Sequence, residues 1–249
     1  MSGHSKWNTI KRKKAATDAA RGKIFTRLTR EIIAAARHGG GDAESNARLR
    51  AAINAARAEN MPGANIDRAI KRGTGELEGV SYEEASFEGY GPGGVALYIE
   101  TLTDNRNRTV SEIRHVLTRH NGSMGEAGSV AWMFTQRGSI VVPAAGRSED
   151  EIMELVVECG AEDFSLEGDA VHVFTSLTSL FEVRDALEAQ GVAVESAGLV
   201  RVPQSTVRLE GKDAEHMLKL LEALEEQDDV QRVSANFDIP DEILQAHGN

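Results

Sequence analysis

The densest chemistry in this chain is cationic. Lys11-Arg12-Lys13-Lys14, preceded by Lys6 and Trp7, sets positive charges side by side around the whole circumference of a helix. Such a run repels itself and suits a phosphate backbone better than a salt-bridged surface. At about 100° per residue, Lys23, Arg27, Arg30 and Arg37 gather opposite an apolar stripe of Ile24, Phe25, Leu28, Ile32 and Ala35. Arg68, Lys71 and Arg72 line the outer side of a later stretch whose inner side is Ile66, Ala69 and Ile70. Trp7 either stacks on a base or anchors its segment into a helical bundle. A further signal is Thr103-Asp104-Asn105-Arg106-Asn107-Arg108-Thr109, which puts Arg106 and Arg108 in the first turn of a helix. The helix dipole disfavours cations there, and local rule-breaking marks functional sites. The loop either holds a phosphate or an RNA bend, or is an exposed turn capped by Asp104 with its arginines in solvent.

No pattern of residues suited to catalysis accompanies these cations. Gly89-Tyr90-Gly91-Pro92-Gly93-Gly94 satisfies G-x-G-x-x-G by letter, but it leads into a strand and contains a proline. A dinucleotide fingerprint opens a helix, so this is a hairpin loop. His115 and His120 are spaced wrongly for ligation from one helical face, and Cys159 has no second thiol. The carboxylates are plentiful but unpatterned. The residues point away from an enzyme and from any metal, cofactor or small-molecule substrate.

Three helical stretches position the basic residues. The first runs to about 37, the second covers about 43–59 and the third about 64–72, with Gly39-Gly40-Gly41 and Met61-Pro62-Gly63 as breaks and Gly73 as the residue just past the third helix. They make a small bundle over 1–75, whose alanine-rich, thin core predicts mobility relative to the rest. Beyond it, strands at 87–90 and 95–102 are followed by a helix at 106–120 and a strand at 130–134. A βαββαβ unit over 138–202 has the ferredoxin-like order, with helices at 149–158 and 177–190 and Gly168-Asp169 as its hairpin turn. A last strand–helix–strand occupies 206–209, 213–226 and 230–237. The fold class is α+β: a three-helix bundle plus two α+β domains, with 138–202 inserted into a discontinuous domain of 76–137 and 203–249. Three sequential units are the alternative, which periodicity does not separate from insertion.

Charge is sorted along the same division. Residues 1–74 hold 16 Lys and Arg against 6 Asp and Glu, a net of +10, while the remainder holds 12 against 33, a net of −21; together they give the −11 of the whole chain. A basic segment of this kind binds polyanions, and an acidic remainder restricts how it docks. The basic pattern persists through three helices instead of stopping at a cleavable leader. The single cysteine fits a reducing compartment, and no apolar run approaches the ~20 residues of a membrane span. A cytoplasmic protein is expected.

Several ordered motifs resemble the YebC family: Gly3-His4-Ser5-Lys6-Trp7, Glu59-Asn60-Met61-Pro62 with Asn65-Ile66, Arg68-Ala69-Ile70-Lys71-Arg72-Gly73-Thr74-Gly75, Glu88 through Gly94, Leu102 through Thr109, and Gly128-Ser129-Val130 with Phe134. Asn8-Thr9 and Gly63-Ala64 depart from the family's forms. The resemblance spans essentially the whole chain. It implies a helical bundle and a ferredoxin-like domain inserted into another α+β domain, with no enzymatic activity, metal or cofactor. Its bacterial members are described as DNA-binding transcriptional regulators, and a mitochondrial branch acts in translational activation.

Three functions follow as expectations: a DNA-binding transcriptional regulator, an RNA- or ribosome-binding translation factor, and a protein-interaction adaptor working through the acidic part. The basic module supports the first two equally, since phosphate is common to both. No helix-turn-helix recognition helix is identifiable, which favours the ribosome; the family's usual description favours DNA.

Overall fold

The computed structural model describes Trp7 and residues 18–248. Three helices come first: α1 (Asp18–Gly39), α2 (Ala47–Ala58) and α3 (Gly63–Thr74). Their shared core is Ile32, Ile33, Ala35, Ala36, Leu49, Ala52, Ile53, Ala56, Met61, Ile66 and Ala69. Asn46 joins two of them. Its Oδ1 accepts from the Leu49 N–H at 3.0 Å as the N-cap of α2, and its Nδ2 donates to the carbonyls of Ala35 and Gly40 at the end of α1 at 2.9 and 2.8 Å. One buried amide thus satisfies orphan groups of two helix ends. Gly73, expected just past α3, lies inside it; the left-handed terminating residue is Gly75, at φ 84°. Gly73 is needed for approach instead, because a Cβ there would lie 2.6 Å from the Ile33 carbonyl oxygen and from Ala36 Cβ of α1.

The next sheet is antiparallel, built from β1 (Glu83–Tyr90), β2 (Ala96–Thr103), β3 (Ser123–Met124) and β9 (Val230–Ala235) in the order β3-β1-β2-β9. Helices α4 (Arg106–Arg119) and α7 (Gly211–Glu225) cover one face through Ile113, Leu117, Met217, Leu218 and Leu221, which meet Leu97 and Ile99. Between β3 and β9 the chain builds a second sheet: β4 (Phe134–Pro143), α5 (Glu149–Glu158), β5 (Asp163–Glu167), β6 (Ala170–Thr175), α6 (Leu180–Ala189) and β7 (Ser196–Pro203). Its order is β5-β6-β4-β7, antiparallel throughout, which is the ferredoxin-like arrangement. The fold is α+β, with the ferredoxin-like unit inserted into the domain that β1, β2 and β9 form. Helix α8 (Asp241–Gly248) closes the described chain.

Two segments expected as strands fold differently. Residues 130–134 do not pair with β1; Ala131–Met133 is a 3-10 turn and Phe134 opens β4, opposite Pro203. The cause is Glu88, whose buried carboxylate accepts from the N–H groups of Gly128, Val130 and Ala131 at 2.6, 2.6 and 2.8 Å and curls the segment around itself. The 206–209 strand contributes only β8 (Val207–Arg208), parallel to β10 (Phe237–Asp238) and outside the main sheet. Asn236 separates β10 from β9, since its Oδ1 accepts the Ala96 N–H at 2.7 Å where a continuing ladder would run.

Candidate nucleic-acid interface

The basic face expected on α1 is largely spent inside the molecule. Arg30 Nη1 lies 2.7 Å from Asp229 Oδ1 and also donates to the Asp228 carbonyl, while its guanidinium stands 5.4 Å from the Tyr82 ring centroid. Arg27 donates to the Glu225 carbonyl at 2.9 Å, and Lys23 sits 3.7 Å from Glu226. Burial pushes the Arg27 guanidinium down from its usual value. The partners lie at the C-terminal end of α7 and in the turn before β9. There carboxylates and the negative end of the helix dipole add together, so the acidic body holds Arg27 and Arg30, while Lys23 stays half-exposed beside an exposed Glu226.

Asp229 is the centre of this contact. It is 3 % exposed, and its Oδ2 accepts from Thr103 Oγ1 at 3.1 Å, Arg108 Nη2 at 2.8 Å and Thr109 Oγ1 at 2.6 Å. Burial alone would raise its pKa; hydrogen bonds from Arg108 and Thr109 and the charge of Arg30 outweigh that and hold it below the usual carboxylate range. The same residue resolves the Arg106–Arg108 loop. Arg108 also reaches Asp104 at 2.7 Å and Glu112 at 3.8 Å, so its charge at a helix N-terminus is neutralised by carboxylates. The cap is Asn105, whose Oδ1 accepts from the Arg108 N–H at 3.1 Å, and not Asp104. Arg108 is therefore tied to carboxylates although its side chain is 43% exposed, and Arg106 is exposed with no carboxylate partner among the described residues, its guanidinium 5.8 Å from the Phe87 ring centroid.

Trp7 is 2 % exposed and packs with the core under α7 and α8, its ring 5.8 Å from that of His247. It anchors to the body and offers no face to a base. Lys6, Lys11, Arg12, Lys13 and Lys14 lie outside the described residues.

Exposed on the bundle without a carboxylate partner among the described residues are Arg57 on α2 and, on α1 and α3, Arg37, Arg68, Lys71 and Arg72. The Gly73 contact brings Arg37 close to the end of α3 that carries Arg72, since a Cβ at Gly73 would lie 3.3 Å from the Arg37 backbone nitrogen. Arg37 and Arg72 line one open recess together with Gly73, Thr74, Gly75, Leu77, Glu78 and Gly79. Helix dipoles favour cations at the C-terminal ends of α1 and α3, so the group is held at low cost. Nearby Arg48 is committed to Glu31 and Glu84 and adds nothing.

Among the described residues no group of three or more His, Cys, Asp or Glu is placed to hold a metal ion. Burial, with Glu158 beside it, pushes the Cys159 thiol up and away from nucleophilic character. No described helix is long and apolar enough to cross a membrane. The organising role of Asp229 and Glu88 had no sequence signal, because each is an ordinary carboxylate until its distant donors are known.

Comparison with known proteins agrees with this architecture. Residues 5–76 match the model of the TACO1/YebC protein N-terminal domain, and residues 82–237 that of the TACO1/YebC second and third domain. A protein of Syntrophobacter fumaroxidans named "Probable transcriptional regulatory protein" is 58% identical over 245 residues, 98% of each chain. One of the same name from Pelotomaculum thermopropionicum is 59% identical over 243 residues, 97% of this chain and all of that one (100%). A crystal structure of a conserved hypothetical protein from Aquifex aeolicus superposes with a TM-score of 0.85 at 51% identity, covering 92% of this chain and 94% of that one. With both family models matched in order along nearly its full length, the chain belongs to the TACO1/YebC family.

Proposed function

We propose that the protein is a non-enzymatic, cytoplasmic regulator of gene expression that grips nucleic acid through the exposed cations of its N-terminal bundle. The observation that carries this reading is the exposure of Arg37, Arg68, Lys71 and Arg72 without a carboxylate partner among the described residues, while Arg27 and Arg30 are turned into the body and held by a carbonyl and a carboxylate. The names of the relatives support a role in transcription, and hence DNA as the target.

A second reading, RNA or the ribosome, has its own support. Recognition helices read base edges from their N-terminal turns. Of the displayed cations, Arg37, Lys71 and Arg72 instead sit in the last turns of α1 and α3, Arg68 is mid-helix, and α3 opens with Gly63-Ala64-Asn65. That arrangement suits backbone contact without base reading.

The test is the full chain carrying Arg37→Gln, Arg68→Gln, Lys71→Gln and Arg72→Gln, titrated against duplex DNA and structured RNA over a range of salt. The plot of log affinity against log salt should flatten by up to ~0.9 for each phosphate no longer neutralised on duplex DNA and ~0.7 on a single strand, with an unchanged thermal melt. Weaker binding to DNA alone supports transcription, and weaker binding to RNA alone supports translation. An unchanged slope on both removes the bundle from the interface.

A further inference from the structure

Folding usually hides tryptophan, and one of the two in this chain is hidden: Trp7 is 2 % exposed. Trp132 is 68 % exposed. Its neighbours show how it comes to be turned out. Val130 and Phe134, on either side of the 3-10 turn Ala131–Met133, are buried with Ala96 and Tyr98, and Ala131 and Met133 pack partly against the same cluster. Of the run 130–134, only Trp132 is exposed.

The exposed ring is nevertheless held in place. Glu88 accepts the Val130 and Ala131 N–H groups just before it, which fixes the backbone of the turn. The indole Nε1–H donates to the Ser129 carbonyl at 3.1 Å. Tyr90, 36 % exposed at the end of β1, donates its hydroxyl to that same carbonyl at 3.4 Å. Both polar edges are therefore satisfied within the protein at one oxygen, and the two rings keep mainly their carbon faces to offer. A ring held in water contributes little to the fold, since tryptophan stabilises through buried area. Its fixed orientation favours a partner instead, because a side chain already ordered loses less freedom on binding.

Position relates this pair to the bundle. Alternation along β1 puts Glu84, Glu88 and Tyr90 on the sheet face opposite to Ala85 and Phe87, which pack toward α4 and α7. Glu84 pairs with Arg48 of α2, and Arg37 lines a recess with both of them. The bundle thus reaches the start of the strand whose end carries Tyr90. At ~3.3 Å per residue, Glu84 and Tyr90 are about 20 Å apart.

We propose that Trp132, with Tyr90 beside it, is a stacking platform for an unpaired nucleobase. This rests on the reading of the protein as a nucleic-acid binder and deepens it: the target carries an unpaired base on the order of 20 Å from the phosphates held at Arg37. A base is the occupant that the chemistry favours, because every base has a π face and stacking needs no hydrogen bond from the ring. A duplex keeps its bases stacked on one another, whereas loops, bulges and single strands present them. The chemistry is common to RNA and single-stranded DNA.

The test titrates the full chain, Trp132→Ala and Trp132→Phe with mixed-sequence single-stranded RNA, single-stranded DNA of the same sequence, and the corresponding duplex DNA. Trp132→Ala should weaken single-strand binding by roughly 5- to 150-fold, the effect of losing one base–aromatic stack, while Trp132→Phe retains part of the affinity. Stacking releases no counterions, so the slope of log affinity against log salt should stay unchanged, unlike that of the Arg37, Arg68, Lys71 and Arg72 variant. Indole emission gives a second readout. Acrylamide should quench Trp132 in the free chain, and a bound single strand should shield it, with buried Trp7 as a constant background. If Trp132→Ala melts early, Trp132→Phe and the shielding of the unaltered chain carry the comparison. Loss on RNA alone or on DNA alone identifies the source of the base. Equal single-strand affinity of Trp132→Ala and the unaltered chain, equal weakening on the duplex, or emission left unshielded overturns the platform, and the bundle reading stands if the bundle variant still binds more weakly. Failure of the unaltered chain to bind any nucleic acid overturns both. If Trp132→Ala keeps its nucleic-acid affinity and instead abolishes self-association at raised protein concentration, the ring is an interface between copies and its assignment to a base ends.

Discussion

Glu88 shows how one side chain sets the path of a distant segment. Its two oxygens accept three backbone N–H groups from Gly128, Val130 and Ala131, so neither oxygen can be exchanged for a donor without opposing N–H to N–H. Glu88→Gln, equal in size, should therefore destabilise the protein by about 1–3 kcal/mol, the cost of leaving buried donors unsatisfied. The pH dependence has a definite sign. Burial would raise the Glu88 carboxyl, but the three amides outweigh it and depress the pKa in the folded protein. A depressed carboxylate contributes stability that is full above its unfolded pKa, about 4.3, and is lost as pH falls through the folded value. Thermal melts of the two proteins should differ most above pH ~5 and converge in acid below the usual carboxylate range. A gap that stays constant into acid would mean the carboxylate charge is irrelevant.

Elements were legible from the sequence where a period or a turn residue decides them locally. Helix α5 begins at Glu149 and ends at Glu158 because the capping box of Ser148 and Glu151 marks its start, and Gly168, at φ 64°, turns β5 into β6 as the Gly-Asp pair implies. What stayed illegible depends on partners far along the chain: the Val130 segment on Glu88, the basic face of α1 on the turn after α7, and Gly73 on α1. In sequence Gly73 has the look of an end-cap; only the Ile33 carbonyl explains why it belongs inside the helix. Gly73→Ala is the corresponding test. Alanine gains about 1 kcal/mol of helix propensity, yet its Cβ would meet backbone and Ala36 at 2.6 Å, and overpacking of this kind costs about 1–3 kcal/mol. Gly63→Ala, in the same helix with nothing within 4 Å, keeps only the favourable term. Denaturant titrations should move the two midpoints in opposite directions, Gly73→Ala down and Gly63→Ala level or up. A stabilised Gly73→Ala would show that α1 and α3 are not in close contact.

At the scale of the whole molecule, charge sorting does two jobs that the composition alone cannot separate. A basic bundle beside an acidic body can bind an external polyanion or bind the body, and the structure divides the cations between these uses. Arg30 is 13 % exposed as a side chain and held by Asp229, which in turn fixes Arg108, Thr103 and Thr109, so bundle position and the start of α4 share one carboxylate. Arg37 and Arg72 are exposed and line their recess. The two classes predict opposite phenotypes. Arg30→Gln leaves the buried Asp229 short of one charged donor, so the thermal transition should fall, by an amount equivalent to about 1.5–3 kcal/mol for a hydrogen bond to a charged group. Because Arg30 is turned to the body, the salt slope of nucleic-acid binding should stay where it was. Arg37→Gln should do the reverse, flattening the slope by up to ~0.9 on duplex DNA while leaving the melt unchanged. The measurement is a melt and a salt titration on each single variant, on the same preparations. If Arg30→Gln flattens the slope as much as Arg37→Gln does, the α1 face leaves Asp229 to meet nucleic acid, and the thin-cored bundle moves relative to the body when it binds. If Arg30→Gln loses stability alone, the bundle binds as docked, and the acidic turn after α7 is the fixed mount on which the displayed cations are carried.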